Sequence, residues 1–199
     1  MPRGGVPVAA EVAYRLNAPL DIIVVRKLGC PGQPELGIGA IAEGGVRMLN
    51  EALIAEAGVD ERALESVTAH EHNELDRRVA LYRAGHPQAT VEGRVAIVID
   101  DGLATGYTAR AAIEALRRQG ASRVVLAVPV AAEETAHALR TVADEVVALD
   151  TPPYFFGIGE FYEDFSQTTD EEVIEALKHA AAAAPLRAAA AQRASDADQ

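Results

Sequence analysis

Residues 95–108 read VAIVIDDGLATGYT, an aliphatic run that ends in two adjacent aspartates and opens through a Gly/Thr turn into a helix. Val95 to Ile99 is β-branched except for Ala96 and apolar on both faces, the pattern of a short strand inside a parallel sheet covered by helices. Asp100 and Asp101 then stand at the carboxyl end of that strand. In open α/β sheets this edge is where ligands bind, and a loop entering a helix there offers free backbone N–H groups to an anion.

Gly102, Thr105, Gly106 and Thr108 suit a phosphate cradle, because glycine lets the backbone approach an anion and the hydroxyls add donors to the N–H groups. The two carboxylates cannot hold phosphate themselves. They fit a ligand that also presents hydroxyl donors or a divalent metal, and a phosphorylated ribose with Mg2+ supplies both. A plain strand–turn–helix with a capping aspartate accounts for one acid but not for the pair plus the turn. The block closely resembles the phosphoribosyl-pyrophosphate (PRPP) signature of the type I phosphoribosyltransferases. The resemblance implies that Asp100 and Asp101 are catalytic, hold the ribose hydroxyls and bind the metal. It also implies that Gly102, Ala104, Thr105, Gly106, Tyr107 and Thr108 hold the 5-phosphate.

Further stretches carry the same resemblance. PRGGVPVAAEVAYRL, from Pro2 to Leu16, is similar to the family's pyrophosphate loop and the helix after it, which assigns Arg3, Gly4 and Gly5 to pyrophosphate. LDIIVVRKL, Leu20 to Leu28, reads as a second buried strand ending in Arg26 and Lys27, similar to the Arg-Lys pair that starts the catalytic loop in related enzymes. Two cations at a strand tip suit a highly charged leaving group, although a solvated strand end explains them too. The span from RGGVPVAAEVA to FYEDFSQTTDEEV is similar to a widespread bacterial group of phosphoribosyltransferases of unassigned substrate, over about residues 2–180.

PPYFFGIGEFYEDF, residues 152–165, holds six of the nine aromatic residues of the chain and follows a strand expected at residues 145–149. Aromatic faces there could sandwich a planar base, with Phe155, Phe156 and Ile158 as the base-binding residues that the resemblance suggests. A hydrophobic lid or a dimer contact is the equal alternative. Ala104 stands where hypoxanthine-type relatives usually carry an acid, which lowers hypoxanthine and guanine as acceptors. Tyr107 replaces a small residue, and its ring is expected to crowd or cover the phosphate site. Met1 directly precedes Pro2-Arg3, so the strand that should lead into the pyrophosphate loop is expected to be missing from the sheet.

At 199 residues with 49% hydrophobic content the chain can bury one sizeable core. A net charge of −12 argues against nucleic acid or an anionic membrane as the main partner. A single cysteine, Cys30, rules out an internal disulfide, and the absence of a signal peptide or long apolar run makes the cytoplasm the expected compartment. GIGAIA, residues 37–42, spells a dinucleotide fingerprint without following directly on a strand, and His70 and His72 are spaced to face different sides of a helix.

The fold expected is α/β: a type I phosphoribosyltransferase-like parallel sheet with helices on both faces and a small hood or flexible-loop region. Hairpin strands are expected in ELGIGAIAEGG and VRMLN, helix over residues 50–84, and then alternating strands and helices from Val95. Thr168 or Thr169 opens a last helix. Residues 1–184 form the expected domain and 185–199 an Ala-rich tail. The function implied is Mg2+-dependent transfer of ribose 5-phosphate from PRPP to a small planar base, in a homodimer. The other readings are a PRPP- or nucleotide-sensing protein that acts through a protein partner, and a scaffold.

Overall fold

In the computed structural model, which describes residues 1–84 and 88–182, the strand of the aspartate motif pairs on one side only. β4 (Val95–Ile99) lies parallel to β5 (Arg123–Val130), and β5 lies parallel to β6 (Glu145–Asp150). The crossovers are α4 (Tyr107–Arg118) and α5 (Glu133–Leu139), the βαβαβ order that the alternating pattern predicts. α4 buries Ala109, Ala112, Ile113 and Leu116 against this sheet, and Gly120, at φ 84°, stops the turn after it.

A second sheet is antiparallel: β1 (Val25–Cys30), β2 (Gln33–Ala42) and β3 (Val46–Leu49). It carries the expected hairpin and places GIGAIA inside β2, where no helix N-terminus follows. α4 packs against both sheets, while α1 (Gly5–Leu16), α2 (Glu51–Glu56), α3 (Glu61–Tyr82) and a last helix, α6 (residues 170–182), complete the fold. Leu64, Leu75 and Tyr82 of α3 meet Val6, Leu28, Val173 and Leu177 in a second apolar cluster. The apolar face of α3 therefore covers α1, β1 and α6, and Thr169 opens the last helix in a capping box with Glu172 (Thr169 N–H to Glu172 Oε2, 2.7 Å; Glu172 N–H to Thr169 Oγ1, 3.1 Å).

Two expectations for the early strands are corrected. The strand read at residues 20–28 begins at Val25 and belongs to the antiparallel sheet, although Ile22, Ile23 and Val24 are buried. The reason is the lack of a neighbouring strand: the Ile22 N–H donates to Asp21 Oδ1 at 2.7 Å and the Val24 N–H to Glu43 Oε1 at 2.6 Å. Arg83 clamps the same segment through Asp21, Glu43 and the Ile22 carbonyl. The motif strand itself is not buried on both faces, for Val95 and Ile97 are 58% and 41% exposed.

Both features border one apolar slot of about 230 Å³ between residues 20–23 and β4, lined by Ala13, Leu16, Leu20, Ile22, Val95 and Ile97. Met1 sits at its upper end with its ammonium donating to the Ile99 carbonyl. Among the described residues no strand fills the slot. The open flank of β4 should exchange its amide hydrogens about 100-fold or more faster than the central strand β5, by hydrogen exchange read with mass spectrometry. Equal protection of the two strands would show that the flank is covered.

Candidate active site

The carboxyl end of β4 and the turn before α1 occupy the same place. A Cβ built on Gly4 would lie 2.0 Å from Asp101 Oδ2, and one on Gly5 would lie 2.7 Å from Asp100 Cα. Only glycine allows this approach, so the Arg-Gly-Gly turn is held directly against the acid pair. The Arg3 carbonyl accepts from the Val6 N–H at 3.0 Å and starts α1, and the Pro2–Arg3 peptide is cis. Arg3, Gly4, Gly5, Asp100 and Asp101 are thus brought together.

The loop after Asp101 is fastened from below and free above. Leu103 is buried, its N–H donates to Val130, its carbonyl accepts from Ala132, and Thr135 Oγ1 donates to the Ala104 carbonyl at 2.6 Å. Gly106 takes φ 74° as the N-cap of α4 and makes no side-chain capping bond. Among the described residues the backbone N–H groups of Ala104 to Thr108 find no protein acceptor, so a twelve-residue helix points unsatisfied donors outward. Such a nest with the positive end of a helix dipole binds an anion.

Tyr107 does not cover this nest as its size led us to expect. Its ring packs on the core around α4, and its hydroxyl accepts from Asn50 Nδ2 at 2.5 Å, while Asn50 Oδ1 caps α2. Burial in the core outweighs exposure over a polar loop for an aromatic ring with one polar atom to satisfy.

Asp100 is half-buried, and burial pushes its carboxyl up to about 7 against the partial relief of the Met1 ammonium. Asp101 is raised for the same first reason and is held by backbone N–H groups, including that of Gly102. Tyr162, whose hydroxyl donates to the Asp101 carbonyl at 2.7 Å, walls the pair, and burial pushes its phenol up. No side-chain cation of the described residues pairs with either carboxylate. Two buried carboxylates that lack such a counter-ion fit a divalent cation completed by ligand oxygens; among the described residues no group of three or more His, Cys, Asp or Glu forms a protein-only metal cage.

The remaining candidates lie around this centre at differing removes. Ile158, on a short 3-10 turn (Ile158–Phe161), contacts Gly102, whose added Cβ would meet Ile158 Cγ2 at 2.8 Å. Phe155 stacks on Phe161 with centroids 5.8 Å apart, and Phe156 is 84% exposed. Arg26 donates to Glu71 of α3 at 2.7 Å, and Lys27 reaches the Glu35 carbonyl at 3.2 Å across the hairpin. Neither cation pairs with the acid centre. Tyr162 escaped the sequence reading because its role is a single hydrogen bond to a distant carbonyl; its place in the aromatic run was the available signal.

Two outcomes follow. In the folded chain Asp100 keeps its proton to about pH 7, whereas the unfolded chain releases it near 3.8, so this group stabilises the fold at low pH and loses that contribution as pH rises between these values. Thermal midpoints of Asp100→Asn and of the parent chain should therefore agree below pH 4 and diverge in favour of the variant by pH 8; parallel curves would place Asp100 in solvent. Gly5→Ala should cost about 1–3 kcal/mol in urea unfolding, as expected for overpacking against backbone.

The sequence profile of the phosphoribosyl transferase domain matches residues 1–164. Two Mycobacterium tuberculosis proteins, provisionally named phosphoribosyl transferases Rv0571c and MT0597, are each 48% identical over 180 residues, covering 90% of this chain and 41% of theirs. The chain spans about two-fifths of the length of these curated relatives. The crystal structure of TT1426 from Thermus thermophilus matches with a TM-score of 0.73 at 43% identity, over 88% of this chain and 83% of that one. This chain belongs to the phosphoribosyl transferase domain family and has its α/β architecture.

Proposed function

We propose that the chain transfers ribose 5-phosphate from PRPP to a nitrogenous base and releases pyrophosphate. The observation that carries this reading is the meeting, at one sheet edge, of an uncapped helix N-terminus, a buried acid pair and the Arg3-Gly4-Gly5 turn. These three suit a 5-phosphate, a ribose diol and a second anion in that order. Substitution at C1 of PRPP passes through an oxocarbenium-like state, so holding the ribose in line and neutralising the leaving group supply most of the catalysis. The N–H groups of Ala104 to Thr108, with the hydroxyls of Thr105 and Thr108, take the 5-phosphate, and Gly102 lets the chain approach it. Asp100 and Asp101 orient the ribose hydroxyls and would hold Mg2+. When bound, Mg2+ neutralises pyrophosphate charge.

Arg3 meets the pyrophosphate. Lys27 joins it from the hairpin, because its exposed 3.9 Å pair with Glu35 is worth only about 0–1 kcal/mol and a polyphosphate competes with it. Arg26, held more closely by Glu71, sets the base of that hairpin and joins the catalytic cations only if this pair opens. Ile158, Phe155 and Phe156 form the apolar wall for the planar base. In this reading residues 1–184 make the phosphoribosyltransferase unit, working in the cytoplasm as a homodimer; the tail expected at 185–199 lies outside the described residues. No helix of the described residues is long and apolar enough to cross a membrane. The acid partners on Arg26 and Lys27 favour a second reading, a PRPP sensor that binds without turnover and acts through a protein partner.

Asp100→Asn with Asp101→Asn should weaken Mg2+-dependent PRPP binding by about 100-fold or more in calorimetric titration while leaving the chain folded. Unchanged affinity would reject the site. Pyrophosphate release with any of a panel of bases decides for the enzyme, and saturable PRPP binding without release decides for the sensor.

A further inference from the structure

Arg3, assigned here to pyrophosphate, has its guanidinium faced by a carboxylate far away in sequence. Its Nη1 lies 3.8 Å from Asp170 Oδ1, at the first residue of α6. The same Oδ1 accepts from the Tyr82 hydroxyl at 2.5 Å, and Asp170 Oδ2 lies 3.9 Å from Arg77 Nη2. Tyr82 is 1% exposed, and burial followed by the Asp170 carboxylate pushes its phenol up to about 12, so it stays a donor throughout the neutral range. Asp170 is fixed a second time by the capping box of Thr169 and Glu172, and α6 is seated by Val173 and Leu177 in the cluster that also holds Tyr82 and Val6.

We infer that Asp170 is a positioning residue for anion binding at Arg3, and that α6 contributes to the site through this carboxylate. The inference rests on the assignment of Arg3 to pyrophosphate. At 3.8 Å the carboxylate is beyond hydrogen-bond distance, so the guanidinium keeps its N–H donors for a ligand while losing rotamer freedom. Asp170 also divides its charge among Arg3, Arg77 and the Tyr82 hydroxyl. Arg77 and Arg78 are answered mainly by Glu74, whose carboxyl they hold down to about 2. Glu74 thus takes most of the charge of Arg77 and Arg78, and Asp170 faces Arg3 without closing on it. A carboxylate so placed orients Arg3 without cancelling it, and a pre-oriented side chain binds more tightly because it has less entropy to lose.

The charge makes the test sharp. If Asp170 acted only through its field, neutralising it would tighten the binding of an anion; if it positions Arg3, neutralising it weakens binding. The full chain and its Asp170→Asn variant are titrated calorimetrically with inorganic pyrophosphate plus Mg2+ and, separately, with ribose 5-phosphate, which reaches the α4 nest but not Arg3. The expected result is a loss of about tenfold for pyrophosphate, the scale of one charge-assisted contact, with ribose 5-phosphate unchanged within about twofold. Tyr82→Phe, which frees Asp170 without altering charge, should shift pyrophosphate in the same direction by about threefold and carries the test if Asp170→Asn fails to fold. Unchanged or tighter pyrophosphate binding, or an equal loss for both ligands, overturns the positioning role and leaves the PRPP reading intact. A parent chain that binds neither ligand overturns the PRPP reading itself and the inference with it.

Discussion

The backbone of Gly4 and Gly5 lies against the side chain of Asp101 and the backbone of Asp100 at distances that leave no room for a methyl group. From that contact follow the direction of α1, the burial of the acid pair and the entry of Arg3 into the site. A carboxylate squeezed between two main-chain segments loses hydration, which raises its pKa unless donors or a cation replace the lost water. Backbone N–H groups replace part of it at Asp101, and the Met1 ammonium part of it at Asp100. In the function proposed, a cation and ligand hydroxyls would relieve the burial that remains.

A chain of net charge −12 can still build anion subsites, because the relevant field is local. The free N–H groups at the start of α4 carry no titratable charge, and the nearest carboxylate to Arg3, on Asp170, stands 3.8 Å away. Two other arginines serve the structure. Arg83 ties Asp21 and Glu43 to a segment that has no strand neighbour, and Arg26 ties β1 to α3. The same residue type thus serves as clamp or as ligand-facing donor, according to how closely a carboxylate approaches it.

How much was legible from sequence depended on the range over which each feature is decided. The strand–turn–helix at residues 95–118, the hairpin at 33–49, the alternation after Val95 and the capping box before α6 rest on local periodicity and turn chemistry, and they appear as expected. Residues 20–24 carry a strand composition, yet a strand exists only when another pairs with it, and here side chains take the backbone donors instead. Val95 and Ile97 look buried by composition and are open because β4 is an edge. The Tyr107 ring was misplaced because its choice between loop and core depends on Asn50, fifty-seven positions away.

The sequence by itself determined the chemistry available at one sheet edge: two acids at a strand end, a glycine-bearing turn with hydroxyls, and an Arg-Gly-Gly turn elsewhere in the chain. These are consequences of residue type and short spacing. Only the tertiary structure decided that the two turns touch, that Asp100 is buried enough to hold its proton to about pH 7, and that Asp170 aims Arg3. Each of those depends on desolvation or on a contact across about a hundred residues or more, and neither is encoded in any local pattern.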